Sequence, residues 1–142
     1  MNLKNILKED VIVGDINFSD IMNEDTLADK APIRKLNNCI IEVRSREGFN
    51  VPHFHITNGE YDACIMIFNN KYFNHNDECN DKLTSRQCKE LEKWMNQPTT
   101  CKKKPAGINL NNWQMMQLLW NQYHNTNYNR EQPNYSTISV YR

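Results

Sequence analysis

Glycine is scarce in this chain, with four in 142 residues. No glycine-rich loop of the kind that cradles a phosphate is present, which sets aside the nucleotide-binding signatures. Net charge is missing too, since 17 Lys and Arg balance 17 Asp and Glu. A dedicated nucleic-acid binder needs a clear basic excess to replace counterions on the phosphate backbone, so that class is not expected. No apolar run approaches the roughly 20 residues of a membrane helix, and the first ten residues lack the apolar core of a secretory signal. A soluble, cytoplasmic protein is expected. The five cysteines (Cys39, Cys64, Cys79, Cys88 and Cys101) are odd in number and form no C-x-x-C pair. That favours free thiols in a reducing compartment over a disulfide framework. No H-E-x-x-H or paired-carboxylate motif announces a catalytic centre.

What is present is polar. Hydrophobic residues make up 39% of the chain and mean hydropathy is −0.81. Asparagine rather than charge supplies much of this polarity, a usage that fits an AT-rich coding genome and sets an expectation of bacterial or phage origin. The balanced charge is unevenly spread. Residues 1–29 hold seven acids against Lys4 and Lys8, and residues 82–104 hold seven bases against Glu90 and Glu92. Two solvated surfaces are the simplest reading, with attraction between the segments as the alternative.

The length suits one domain with a self-sufficient core. Residues 1–35 read as an N-terminal arm, with helical spacing at Leu3, Ile6 and Leu7, a β-branched run at Val11, Ile12 and Val13 ending at Gly14, and a weak helix after Ser19 that Pro32 closes. Residues 36–142 read as a single α+β domain. Residues 39–46 form a strand with Ile41 and Val43 on one face and Glu42 and Arg44 on the other. Lys71, Tyr72 and Phe73 return as a short strand, and residues 136–141 alternate like a last one. Thr84 and Gln87 make a capping box that starts a helix over 84–96, with apolar Cys88, Leu91, Trp94 and Met95 on one stripe. A second helix spans about 110–124. Its Trp113, Met116, Leu119, Trp120 and Tyr123 cover a broad face, either core or partner-facing. The expected architecture is a small antiparallel sheet of three or four strands packed by these two helices.

The best-defined stretch is residues 50–68, N-V-P-H-F-H-I-T-N-G-E-Y-D-A-C-I-M-I-F. Asn58-Gly59 is a strong signal for a two-residue hairpin turn, because Asn followed by Gly tolerates positive φ at both central positions. A two-residue turn sets Ile56 opposite Tyr61, His55 opposite Asp62 and His53 opposite Cys64. Alternation then puts Phe54, Ile56, Tyr61, Ala63 and Ile65 on a core face. The other face carries His53, His55, Asp62, Cys64, Met66 and Phe68.

Pro52-His53-Phe54-His55-Ile56 resembles the signature of a family of small bacterial proteins of unknown function, marked by a Pro-Pro-His-Phe-His-Val motif. Gly59 stands at that family's turn, Ala63, Ile65 and Ile67 match its alternating strand, and residues 83–94 look like its helix with a buried tryptophan. Val51 replaces the first proline and Ile56 the valine. The similarity covers about residues 40–96. It implies a compact α+β domain, often encoded beside another small protein in a toxin–antitoxin-like arrangement, with no settled activity.

His-x-His on a strand puts two imidazoles on one face, a spacing used by zinc and iron proteins. With Asp62 and Cys64 opposite and His75 arriving from a loop, these five residues are the candidate metal ligands. The plainer reading is a hydrogen-bonded structural cluster in which His55 pairs with Asp62. A third reading activates Cys64 as a nucleophile through His53. The leading functional expectation is a non-enzymatic, cofactor-free interaction module. It would bind a protein partner or a second copy through the arm or through Trp113, Trp120 and Tyr123, as a virion component or a regulator of a partner. The alternative is a metal-dependent enzyme built on the His-x-His face. Whether that face is covered or open separates the structural reading from a ligand site.

Overall fold

Cross-strand pairing begins inside the expected arm. In the computed structural model, which describes residues 11–18, 39–45, 51–59, 61–69, 71–73 and 81–135, Val11–Ile16 forms strand β1. It is followed by β2 (Cys39–Val43), β3 (His53–Thr57), β4 (Asp62–Met66), helix α1 (Ser85–Met95) and helix α2 (Asn112–His124). The strands make one antiparallel sheet in the order β1-β2-β3-β4. The fold is α+β, as the alternation and the two capped helical stretches imply. Residues 11–16, expected within the arm, therefore pair into the sheet. Arm residues 1–10 and 19–35, the strand expected over 136–141, and His75 and Cys79 lie outside the described residues.

Gly14 does not end β1. The strand runs through it with a register shift between Ile12 and Gly14. A Cβ at Gly14 would lie 2.8 Å from Cζ2 of Trp94 on α1. The glycine admits the indole edge to the sheet, which is why a residue that usually weakens strands sits here.

The β3–β4 turn differs from the expected one. Thr57 pairs with Asp62, Ile56 with Ala63, His55 with Cys64 and His53 with Met66. The connection thus spans residues 58–61. Asn58 Oδ1 accepts the Tyr61 N–H at 2.9 Å, and the Asn58 N–H donates to the Tyr61 carbonyl at 3.2 Å. Gly59 takes positive φ there, at 98°. Asn58 serves as a side-chain acceptor that closes a wider turn, an equally good use of asparagine. The shift is two residues, so every side chain keeps its expected face.

Both helices start as their caps dictate. Thr84 and Gln87 form the reciprocal capping box of α1, and Asn111 with Gln114 forms a second one on α2. Asn125 ends α2 in the left-handed region at φ 55°. The segment between the helices is tied at its root, where Thr99 N–H donates to the Leu110 carbonyl and Asn112 N–H to the Gln97 carbonyl. Lys71, Tyr72 and Phe73 supply a single bridge to Ile65 rather than a strand.

The central strands are buried on both sides. Phe54, Ile56, Ala63 and Ile65 face one part of the core, and His53, His55 and Cys64 the other. Tyr135 meets Phe54 at 5.9 Å between ring centroids, and Trp120 of α2 meets His53 at 5.3 Å. This burial has a measurable consequence. It pushes the thiols of Cys39 and Cys88 up to about 11 from an ordinary 9.0, and it raises the phenols of Tyr61, Tyr72 and Tyr135 as well. In alkali the unfolded chain releases these protons while the folded chain keeps them, so stability falls with rising pH. Urea midpoints under reducing conditions are expected to be level below pH 9 and to decline steadily from pH 9 to 11. A Cys39→Ala variant should show a shallower decline across the same window.

Candidate metal centre

Residues two apart on a strand share a face, so β3 sends the imidazoles of His53 and His55 to the same side. The register then builds a row across three strands, Glu42 on β2, His55 on β3 and Cys64 on β4. His53, His55 and Cys64 are 1%, 0% and 1% exposed. One ligand atom from each lies within 4.8 Å of the others. Cys64 Sγ is 4.0 Å from His55 Nε2.

The hydrogen bonds decide which ring nitrogens face the cluster. His53 Nδ1 is 2.7 Å from the Val51 carbonyl oxygen, which can only accept, so Nδ1 donates and, in the neutral ring, Nε2 carries the lone pair. His55 Nδ1 is 3.0 Å from Asp62 Oδ1. The other oxygen of that carboxylate accepts from Arg44 Nη2 at 3.2 Å, so Asp62 is an acceptor at both ends and His55 also donates through Nδ1. In the neutral form both imidazoles therefore present Nε2 lone pairs beside a thiol sulfur. A carboxylate behind a ligating histidine fixes tautomer and ring orientation, and it is the usual outer partner of a metal-bound imidazole.

The cluster has a charged border. Arg44 Nε donates to Glu42 Oε1 at 2.9 Å while its Nη2 holds Asp62. Burial works against the guanidinium charge, but the bonds and fields of Glu42 and Asp62 outweigh it, and the Arg44 pKa is raised. His124 at the end of α2 lies 3.0 Å from the Arg44 carbonyl through Nε2 and stacks on Trp120 at 3.6 Å. Trp120 and Phe73 flank the His53 ring at 5.3 and 4.9 Å. The face is thus covered by its own chain, which favours the structural reading over an open ligand site and limits any ion held here to a structural one.

His53, His55 and Cys64 come together as a three-donor group. Asp62 lies beside this group, with its two oxygens engaged by His55 and Arg44. Cys64 stands opposite His55, not His53, because of the wider turn. Trp113 and Trp120 are 2% and 1% exposed. Both are enclosed by this chain's own core and offer no partner-facing surface, while Tyr123 is partly buried against that core. Glu42, Arg44 and His124 were not among the expected site residues. Glu42 and Arg44 were readable as one polar face of β2. Their place beside His55 depends on a β2–β3 register that no local pattern specifies. Among the described residues, no helix is long and apolar enough to cross a membrane. Comparison with protein-family models, with curated proteins and with solved structures finds no match.

Proposed function

We propose that this chain is a metal-binding domain, with His53 Nε2, His55 Nε2 and Cys64 Sγ as ligands to a zinc-like divalent ion. The observation that carries the reading is the convergence of these donors within 4.8 Å, with both Nδ1 atoms already committed to acceptors. Tetrahedral zinc at ordinary bond lengths sets N and S ligands about 3.6 Å apart, so the 4.0 Å between His55 and Cys64 needs only a small adjustment. Two imidazoles and a thiolate are a borderline-soft set that suits zinc better than magnesium or calcium.

Three protein ligands leave one coordination position. With every ligand at or below 1% exposure, only water or a small anion reaches it. The role that fits is a holding one. The ion pins the β3–β4 hairpin beneath α2 in a non-enzymatic domain and does not act on a macromolecular substrate.

Chain purified at neutral pH under reducing conditions is expected to carry one zinc per molecule and to lose thermal stability when a chelator strips it. Cobalt in its place should give a thiolate-to-metal charge-transfer absorption that Cys64→Ser abolishes. His53→Ala/His55→Ala should retain no stoichiometric metal, and Asp62→Asn should bind roughly 10–100-fold more weakly through loss of the orienting carboxylate. Absence of bound metal in the folded native chain, with no change in melting on adding zinc, would refute the assignment.

The Asp62–His55–Cys64 line also supports a second reading, a thiol activated by His55. It predicts fast alkylation of Cys64 in the metal-free chain, and burial of the sulfur argues for slow alkylation instead.

A further inference from the structure

At the far edge of the sheet, β1 pairs only with β2, leaving its outer edge without a strand among the described residues. Between this edge and the segment that follows α1 lies a cleft of about 510 Å³. Its lining includes Ile12 and Val13 of β1, Tyr123 of α2, and Cys101, Lys102 and Lys103. Ile12 is 54% exposed, the most exposed large hydrophobic side chain among the described residues. Cys101 Sγ reaches the Ile12 carbonyl at 3.6 Å, which places that segment beside the strand's backbone.

The three consecutive lysines of this segment are not equivalent. Lys104 Nζ donates to the carbonyls of Ile108 at 2.7 Å and Pro105 at 3.3 Å, and so braces its own loop. Lys102 and Lys103 are exposed and form no ion pair among the described residues. The cleft thus combines apolar lining from Ile12 and Tyr123, a strand edge that carries no further strand among the described residues and gives its Ile12 carbonyl to Cys101, and two lysines outside any ion pair there.

We infer that this cleft is a docking site for an extended acidic segment of a partner protein, added alongside β1. Strand addition draws affinity from backbone hydrogen bonds, while alternate side chains read the adjoining pockets. The chemistry of the occupant follows from the walls. An apolar side chain rests on Ile12 and Tyr123, and carboxylates on the next strand positions meet Lys102 and Lys103. A nucleic acid fits less well, because two lysines on a chain of zero net charge supply little counterion release, and an apolar lining offers nothing to a phosphate. The site is separate from the histidine cluster and stands or falls independently of metal binding.

The test uses the full chain and a fluorescent synthetic peptide of alternating Glu and Val, read by anisotropy. Binding is expected at low salt, to weaken as salt rises, and to fall about tenfold in Lys102→Glu/Lys103→Glu, whose exposed positions leave the fold intact. The same peptide N-methylated along one edge should lose binding at least as severely, which electrostatic attraction alone does not predict. A Lys–Val peptide should not bind. Equal affinity in the lysine double variant, preference for a single-stranded oligonucleotide of matched charge, or concentration-dependent dimerisation that competes with the peptide would each overturn the inference.

Discussion

Replacing Arg44 with methionine is expected to destabilise the fold by about 2–3 kcal/mol, below the roughly 3–5 kcal/mol cost of breaking a fully buried ion pair. The reduction reflects water at the rim, since the Arg44 and Asp62 side chains are 26% and 19% exposed. Arg44 stands between two carboxylates, bonding Glu42 at 2.9 Å and Asp62 at 3.2 Å. Without it, two acids share one edge of a buried face with no countercharge. The loss should reach the cluster as well, because Asp62 also holds the proton of His55 Nδ1. Urea unfolding measures it as a lower midpoint at unchanged slope. Glu42→Gln combined with Arg44→Met should recover part of the loss, since one of the stranded charges is then gone. A single variant within about 0.5 kcal/mol of wild type, the range of ordinary surface changes, would mean that solvent screens both carboxylates.

The same network shows how far a sequence can be followed. The period of two was legible and placed His53, His55, Asp62 and Cys64 on one face. Because the turn error was also two residues, the face survived while the partners changed. Cys64 moved from His53 to His55, and Asp62 moved to a diagonal position from which it still reaches His55 Nδ1. Turn length was not legible, since Asn58 can supply either a positive φ or a side-chain acceptor, and Tyr61 N–H decides the matter through a bond that spans the turn. Capping boxes were legible because they are local, and Thr84 with Gln87 behaves as its spacing dictates. Glu42 beside His55, Trp94 against Gly14 and Trp120 over His53 were not legible. Each joins segments far apart in the chain, and their residue types allow several other neighbours. The tryptophans of α2 illustrate the cost of that ambiguity. A broad aromatic helix face serves a core or an interface equally well until its neighbours are known, and here the sheet and residues 125–135 occupy it.

The largest single loss is expected at Trp113. Its side chain is 2% exposed, packs on Phe68 at 6.0 Å between centroids, and donates Nε1–H to the Ile67 carbonyl at 2.9 Å. Trp113→Ala should cost about 3–5 kcal/mol, from lost transfer energy and the cavity left behind. Trp113→Phe separates packing from the hydrogen bond. It keeps most of the ring, and the Ile67 carbonyl still accepts from the Tyr135 hydroxyl. A carbonyl has two lone pairs, and one partner spares it the full penalty of burial without any. Trp113→Phe and Tyr135→Phe are each expected to cost about 1–2 kcal/mol. The double variant strips the carbonyl of both donors. Its cost should exceed the sum of the singles by roughly 1 kcal/mol, a coupling that a double-mutant cycle in urea resolves. Simple additivity would mean that the two side chains act through packing alone. A positive coupling would make the Ile67 carbonyl the point where α2 and the chain beyond it are fastened to the end of β4, the strand that carries Cys64.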